Sequence, residues 1–582
     1  MATQPQREPF DMVPSLIDRL KQRLDSSSPA RSDSPQWVRC ANEPCGAVLY
    51  RRAFRDNHQV CTRCEHHGRL SATDRIMQLV DDDSFVEHDD ELVSSDPLQF
   101  VAHGQPYQEK LREAQSKTGL NDAAVCGSAT IGGSPIELVV LEFAFMGASM
   151  GSVVGEKIAR AAERAAWRRV PLVTINASGG ARMHEGVIAL MQMAKTAAAL
   201  AQLGRAGVPH IAVLTDPTLG GVTASYAGLG DVTIVEQGAL VGFAGPRVIE
   251  QVTRQKLPAN AQRASFLLEH GMVDMVVPRR QLRATLAKLL RRYAAPRPGR
   301  HTAPAPLDVV QSPARDIPRR SAWERVWVAR DAQRPTTLDY LELAFSDFIE
   351  LHGDRLRGDD HAIVGGLAAL DGRTVMVIGH QKGRNTRENT YRRFGMARPE
   401  GYRKALRLMR QAEKFRLPVV TLIDIPGADP SLAAEEGGQA FAIAENLYAM
   451  SQLRVPLVSV ICGEGGSGGA LALGVADRVL MLEHAVYSVA SPEAAASILW
   501  RDGKQAPAAA EALKITAEHM AAFGIIDGIV PEPAGGAQAD PVGMATNLRA
   551  ALLSHLAEVA DIEPKDLVAA RLERYRRIGS PQ

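Results

Sequence analysis

Leu214-Thr-Asp-Pro-Thr-Leu-Gly220-Gly221-Val-Thr-Ala-Ser225 follows a β-branched run, His210-Ile-Ala-Val-Leu. A second stretch repeats the layout: Val460-Ile-Cys-Gly-Glu464-Gly465-Gly466-Ser467-Gly468-Gly469-Ala470 follows Pro456-Leu-Val-Ser-Val-Ile. Each reads as a buried strand, a tight turn and a helix start. A glycine turn leading into a helix presents bare backbone N–H groups, which suit an oxyanion.

The surroundings of the two stretches match as well. Pro171-Leu-Val-Thr-Ile pairs with Pro418-Val-Val-Thr-Leu, and Val208-Pro-His-Ile-Ala-Val with Val455-Pro-Leu-Val-Ser-Val, both at an offset of 247 residues. Asp231-Val-Thr-Ile-Val pairs with Asp477-Arg-Val-Leu-Met, and Gly242-Phe-Ala-Gly-Pro246 with Ser488-Val-Ala-Ser-Pro492, both at 246. So steady an offset marks a duplication. Two copies of one α/β fold suggest a site shared between them.

Outward from the repeat, 582 residues allow several domains. The 67 basic and 66 acidic side chains leave a net charge of +1, which gives no field for nucleic acid or membrane. No apolar run is long enough to predict a membrane span, and the first residues do not resemble a secretory signal. Six cysteines in so long a chain predict a reducing cytoplasm, not a disulfide scaffold. The expected organisation is a flexible segment over 1–35, a zinc ribbon over 36–68 and an α/β domain over 69–293. A linker over 294–332, a second α/β domain over 333–530 and a helical tail over 531–582 follow. Five prolines between Ala294 and Pro313 argue for the linker.

The ribbon rests on Cys40-x4-Cys45-x15-Cys61-x2-Cys64, two knuckles able to bring four thiolates into a tetrahedron around Zn2+. All four positions are filled by protein, so the expected metal is structural. Arg51, Arg52, Arg55 and Arg63 surround it, either as a solvated face or as a nucleic-acid or CoA-phosphate patch.

A second glycine turn completes each copy: Asn176-Ala-Ser-Gly179-Gly180-Ala-Arg182 in the first, Asp424-Ile-Pro-Gly427-Ala-Asp429 in the second. A Walker A run is missing from the sequence. Oxyanion holes without an obvious nucleophile or base suit chemistry through an enolate, with the base supplied by substrate or cofactor.

Several motifs carry a family resemblance. The ribbon with His66-His67-Gly-Arg-Leu-Ser-Ala, Ala177-Ser-Gly-Gly-Ala-Arg-Met and Gly242-Phe-Ala-Gly-Pro-Arg-Val-Ile-Glu-Gln resembles the β subunit of bacterial acetyl-CoA carboxylase carboxyltransferase. Phe348-Ile-Glu-Leu-His-Gly-Asp-Arg355, Ile378-Gly-His-Gln-Lys-Gly383, Pro399-Glu-Gly-Tyr-Arg-Lys-Ala-Leu and Gly463-Glu-Gly-Gly-Ser-Gly-Gly-Ala-Leu-Ala resemble the α subunit. The resemblance implies a natural β–α fusion with two crotonase-like (ClpP-like) ββα superhelix domains. It implies transfer of a carboxyl group from carboxybiotin, held on a biotin carboxyl carrier protein, to an acyl-CoA: acetyl-CoA to malonyl-CoA for fatty-acid synthesis. Propionyl-CoA or another specialised acyl-CoA is the alternative substrate. A nucleic-acid-binding regulator built on an inactive scaffold is the alternative from another class.

On this resemblance, the amides around Gly220 and Gly221 hold the thioester oxygen, and those around Gly468, Gly469 and Ala470 hold the biotin ureido oxygen. Gly179, Gly180, Arg182, Gly427, Gly465 and Gly466 shape the CoA and biotin pockets, Arg182 as a phosphate or loop-anchoring partner. Biotin arrives in trans, a separate biotin carboxylase is needed, and fused chains pair as a homo-oligomer. The chain departs from the family pattern at Asp429, Ser431 and Gly437, beside the expected biotin approach, and at His184, read as a surface or supporting histidine.

Overall fold

The computed structural model describes residues 36–579 except 97, 103, 255 and 295–319. The segment over 1–35 and most of the expected linker lie outside these residues. The chain folds into two compact units. One holds the described residues up to Gly230 with Val235–Ala264 and Val277–Ala287; the other holds Asp231–Ile234, Ser265–Val276 and the chain from Lys288 onward.

The first unit opens with β1 (Trp37–Arg39) and β2 (Val48–Tyr50), an antiparallel pair, followed by α1 (Arg51–Asp56). After α2 (Ala72–Leu79) come β3 (Val86–His88), α3 (Tyr107–Thr118), and the hairpin β4 (Ala124–Ile131) and β5 (Ser134–Leu141). The chain then alternates: α4 (Ser152–Arg168), β6 (Leu172–Ser178), α5 (Gly186–Arg205), β7 (His210–Leu219), α6 (Gly220–Thr223), β8 (Val232–Glu236), β9 (Val241–Gly242) and β10 (Met275–Val277). The sheet order is β10–β8–β7–β6–β5–β4–β3, with β9 paired to the end of β7. Helix α7 (Arg279–Ala294) follows.

The second unit repeats this plan. Helix α8 (Ala322–Ala329) lies inside the 294–332 stretch expected as linker and corrects its end, its Ser321 cap exchanging hydrogen bonds with Glu324. Then come α9 (Thr337–Leu343), β11 (Ser346–Glu350), β12 (Ile363–Leu370), β13 (Arg373–His380), α10 (Pro399–Phe415), β14 (Val419–Ile425), α11 (Gln439–Gln452), β15 (Leu457–Gly466) and α12 (Ser467–Leu471). Strands β16 (Arg478–Leu482), β17 (Val486–Ser488) and β18 (Gly528–Val530) complete the sheet, in the order β11–β12–β13–β14–β15–β16–β18 with β17 on β15. Helices α13 (Pro492–Leu499), α14 (Pro541–Ala560) and α15 (Pro564–Arg577) also belong to this half.

The duplication reaches the register. Leu172 pairs with His210 and Val419 with Leu457, and both parallel pairs slip at one place, between Asn176 and Ser178 and between Ile423 and Ile425. Strands β14 and β15 are buried along their whole length, which is why neither alternates apolar with polar residues. Helices α4 and α10 both end on a left-handed arginine, Arg169 and Arg416.

Candidate functional site

The four cysteines of the ribbon converge as the spacing predicts. Cys40 hangs at the end of β1, its amide donating to Ala47 at 2.8 Å, and Gly46 makes the left-handed turn of the first knuckle. The four Sγ atoms lie within 4.8 Å of one another, with Cys40–Cys64 at 3.6 Å and Cys45–Cys61 at 4.0 Å. A tetrahedron of thiolates about 2.3 Å from zinc puts sulfurs about 3.8 Å apart, so the cluster fits the ion. The Asn42 side chain and the His66 backbone hold the Cys64 thiol down at about 6, whereas burial pushes Cys40 up to about 12. The first is ready to ligate; the second needs a cation's charge to lose its proton.

Arg279 locks the ribbon onto the domain. It donates to the carbonyls of His58 (2.8 Å) and Gly68 (2.7 Å) and grips Glu236 (2.9 and 2.7 Å), which also takes Arg75 at 2.8 Å. Burial opposes the charge on Glu236, but Arg75 and Arg279 outweigh it and hold the carboxyl well below its usual range. Arg279 carries no signal in the sequence.

In the first unit the two glycine turns meet. Gly180 and Gly220 both have positive φ, and a Cβ on Gly220 would stand 2.9 Å from the Gly180 α-carbon. The amide of Gly179 donates to Gly147, that of Gly180 to Ser178 Oγ and that of Gly220 to Phe243, so all three are engaged. The Gly221 amide, second in α6, has no acceptor within the helix.

Arg182 does not reach a surface. Its side chain is wholly buried and donates to both oxygens of Asp122 (2.8 and 2.7 Å), to Tyr107 Oη, to Ser149 Oγ and to the Ser149 carbonyl. No N–H is left for a CoA phosphate, and the residue anchors the loop. Burial disfavours its charge, but Asp122 more than compensates. His184 stacks on Tyr107, ring centroids 5.0 Å apart. Glu185 does not orient it; that carboxylate caps α4, accepting from the Ser152 amide at 2.6 Å, and takes Tyr107 Oη at 2.8 Å.

In the second unit the turn after β15 has the same backbone. Ser467, first in α12, has φ +59°, against +63° for Gly220. The amides of Gly468 and Gly469 fall in the unsatisfied first turn, whereas that of Ala470 reaches the Gly466 carbonyl as the first i→i−4 bond. The Pro426–Ala428 loop packs on this turn. A Cβ on Gly466 would strike the Pro426 carbonyl at 2.0 Å, while Gly427 faces open space and Gly465 lies against the Tyr487 ring.

Beneath the turn lies a charged bed that no single motif announces. Lys382 Nζ bridges Asp424 Oδ1 (2.7 Å) and Glu464 Oε2 (2.9 Å), and Arg330, just after α8, bonds Glu464 at 2.7 Å and Glu493 at 2.5 Å. Burial works against the Lys382 ammonium, but the two carboxylates overcome it and raise its pKa. Asp429 is buried and accepts from Arg398 Nε at 2.7 Å and the Ser431 amide at 2.8 Å. A Cβ on Gly437 would crowd the Pro399 ring at 3.0 Å.

Comparison with known proteins agrees with this architecture. The model of the acetyl co-enzyme A carboxylase carboxyltransferase-like family matches residues 314–579. Acetyl-coenzyme A carboxylase carboxyl transferase subunits beta/alpha of Salinispora tropica is 53% identical over 548 residues, 94% of this chain and 96% of that protein. The carboxyl transferase subunit alpha of Geobacter metallireducens is 59% identical over 259 residues, 44% of this chain and 81% of its own length. Among solved structures, transcarboxylase 12S superposes with a TM-score of 0.68 at 23% identity, covering 88% of this chain and 92% of that one. At that identity the likeness speaks for the fold, two tandem crotonase-like α/β domains. At 53% identity to a fused relative over 94% of its length, the chain belongs to the family of fused β/α acetyl-coenzyme A carboxylase carboxyl transferases.

Proposed function

We propose that the protein is the carboxyltransferase component of a biotin-dependent acetyl-CoA carboxylase, working in the cytoplasm and forming malonyl-CoA for fatty-acid synthesis. The reading rests on the family and on one observation: two glycine turns of matched backbone whose leading amides have no acceptor in their own helices. Carboxybiotin, brought on a separate carrier protein and charged by a separate biotin carboxylase, supplies the carboxyl group and then the base. The chain's own part is to hold negative charge on oxygen. The Gly221 amide would receive the acyl-CoA thioester oxygen, with Gly220 setting the turn. The Gly468 and Gly469 amides would receive the ureido oxygen, with Ala470 closing the first helical bond. Gly179, Gly180, Gly427, Gly465 and Gly466 let the loops approach, and Cys40, Cys45, Cys61 and Cys64 would hold a structural Zn2+.

A homo-oligomer is part of the proposal. Helix α5 leaves Val187, Leu190 and Met191 exposed and α11 leaves Phe441 and Tyr448 exposed, while their other faces pack in the core. Exposed apolar side chains on matched helices suit cover by a second copy.

Malonyl-CoA formation with purified carrier protein and biotin carboxylase tests the function. Bulky substitution at Gly221 or Gly469 is expected to lower kcat about 10²–10³-fold, the effect of losing an oxyanion donor. Turnover close to wild type in a folded variant would remove that turn from the chemistry. Faster carboxylation of propionyl-CoA than of acetyl-CoA would overturn the substrate.

A further inference from the structure

The interior side of the second turn holds a buried phenol with no partner. Tyr402, the fourth residue of α10, is fully buried, and its hydroxyl has no hydrogen-bond partner among the described residues. It points at the turn: a Cβ built on Gly469 would stand 2.8 Å from Tyr402 Oη and 2.7 Å from the Ala428 nitrogen. Ala428 is half-buried beside Gly427, which borders open space, and no acceptor engages the Ala428 amide among the described residues.

The Ala428 amide and the Tyr402 phenol, both donors, meet at Gly469, while the Asp360 and Asp429 carboxylates act on the phenol without accepting its proton. Leaving a hydroxyl buried without a partner is costly. The phenolic proton has no protein acceptor within hydrogen-bond reach, and an oxygen brought to the turn would provide one. At the repeat offset the first unit has no counterpart, although it holds a buried unpartnered phenol of its own, Tyr226. At the repeat offset Tyr402 corresponds to Gly155 and Gly469 to Val222, whose side chain is buried.

We propose that the Tyr402 hydroxyl donates a hydrogen bond to the oxygen held at the second turn, joining the Gly468 and Gly469 amides. This rests on the reading of that turn as the seat of the ureido oxygen. It makes the second site dependent on a side chain as well as on its amides.

The test uses the full chain, malonyl-CoA as carboxyl donor and free biotin as acceptor. Tyr402→Phe is expected to lower kcat/KM for biotin about 10-fold or more, to leave KM for malonyl-CoA within two-fold, and not to lower the melting temperature. Unchanged kcat/KM for biotin in a variant as stable as the parent would overturn the proposal. Should Tyr402→Phe melt lower, 3-fluorotyrosine at 402 decides, because it keeps the hydroxyl and makes it a stronger donor: altered kcat/KM for biotin supports the bond, and no change overturns it. Gly469→Ala separates the two layers. Transfer lost in Gly469→Ala but intact in Tyr402→Phe keeps the turn and discards Tyr402, whereas transfer intact in Gly469→Ala discards both.

Discussion

The two glycine turns share a backbone and differ in almost everything that lines it. The strand slip, the left-handed first residue and the helix that follows recur at one offset. Yet Ala177 and Pro217 in the first unit correspond to Asp424 and Glu464 in the second, where Lys382 and Arg330 complete an ion network. The loop anchors are reversed in charge as well: Arg182 on Asp122 in the first unit, Asp429 on Arg398 in the second. A common backbone with unlike linings is what two ligands of different shape but similar oxygen charge would require. On the proposed function, the amides would do the shared work and the side chains would divide the substrates.

The anchors give the largest expected effect. Arg182→Met strips a fully buried bidentate partner from Asp122 and leaves that carboxylate, with Glu185 nearby, inside the first unit. Breaking a buried pair from one side costs about 3–5 kcal/mol. Hydrogen exchange resolved by segment should show protection falling across Leu172–Ser178 and His210–Leu219 while Val419–Ile425 is unchanged. Equal protection in both units would show that the anchor carries no stability.

The first residue of each turn comes next. Gly220→Ala places a side chain at φ +63° and against the Gly180 backbone, which cannot rotate aside. The left-handed conformation alone costs about 1–2 kcal/mol, so a lower denaturant midpoint and impaired carboxyl transfer are expected. Ser467 already sits at φ +59°, so Ser467→Gly removes strain and should keep turnover within about two-fold, any stability change staying below about 1 kcal/mol. If both substitutions behave alike, the two backbones are not equivalent.

Much of this is legible in the sequence because repetition is visible without structure. A steady offset locates both sheets, and four clustered cysteines locate the ribbon. The resemblance then supplies the roles proposed for the turns. What stays hidden are partners brought from afar. Arg279 lies 211 residues from Gly68 and 43 from Glu236, so no local pattern joins them. Lys382, Asp424 and Glu464 each stand inside a recognisable run, but only strand order makes them neighbours. Arg182 reads as either a phosphate or a loop-anchoring partner for a similar reason: an arginine beside a glycine loop can look solvent-facing until Asp122 and Tyr107 close around it.

Asp429 should give the smallest effect and the sharpest check on the reversed anchors. Burial alone would raise its pKa, but Arg398 and the Ser431 amide more than offset that and hold it below the usual carboxylate range. A depressed folded pKa means that the carboxylate contributes stability above the unfolded value, about 3.9. That contribution is lost as pH falls through the folded pKa. Arg398 is 37% exposed, so solvent screens the pair and Asp429→Asn should cost only about 0.5–1 kcal/mol at neutral pH. Urea unfolding from pH 7 down to pH 3 should show the wild type's lead over Asp429→Asn shrinking below about pH 4. A lead that holds constant through that range would mean the loop is fastened by packing and not by charge, and the symmetry with Arg182 would be one of sequence position alone.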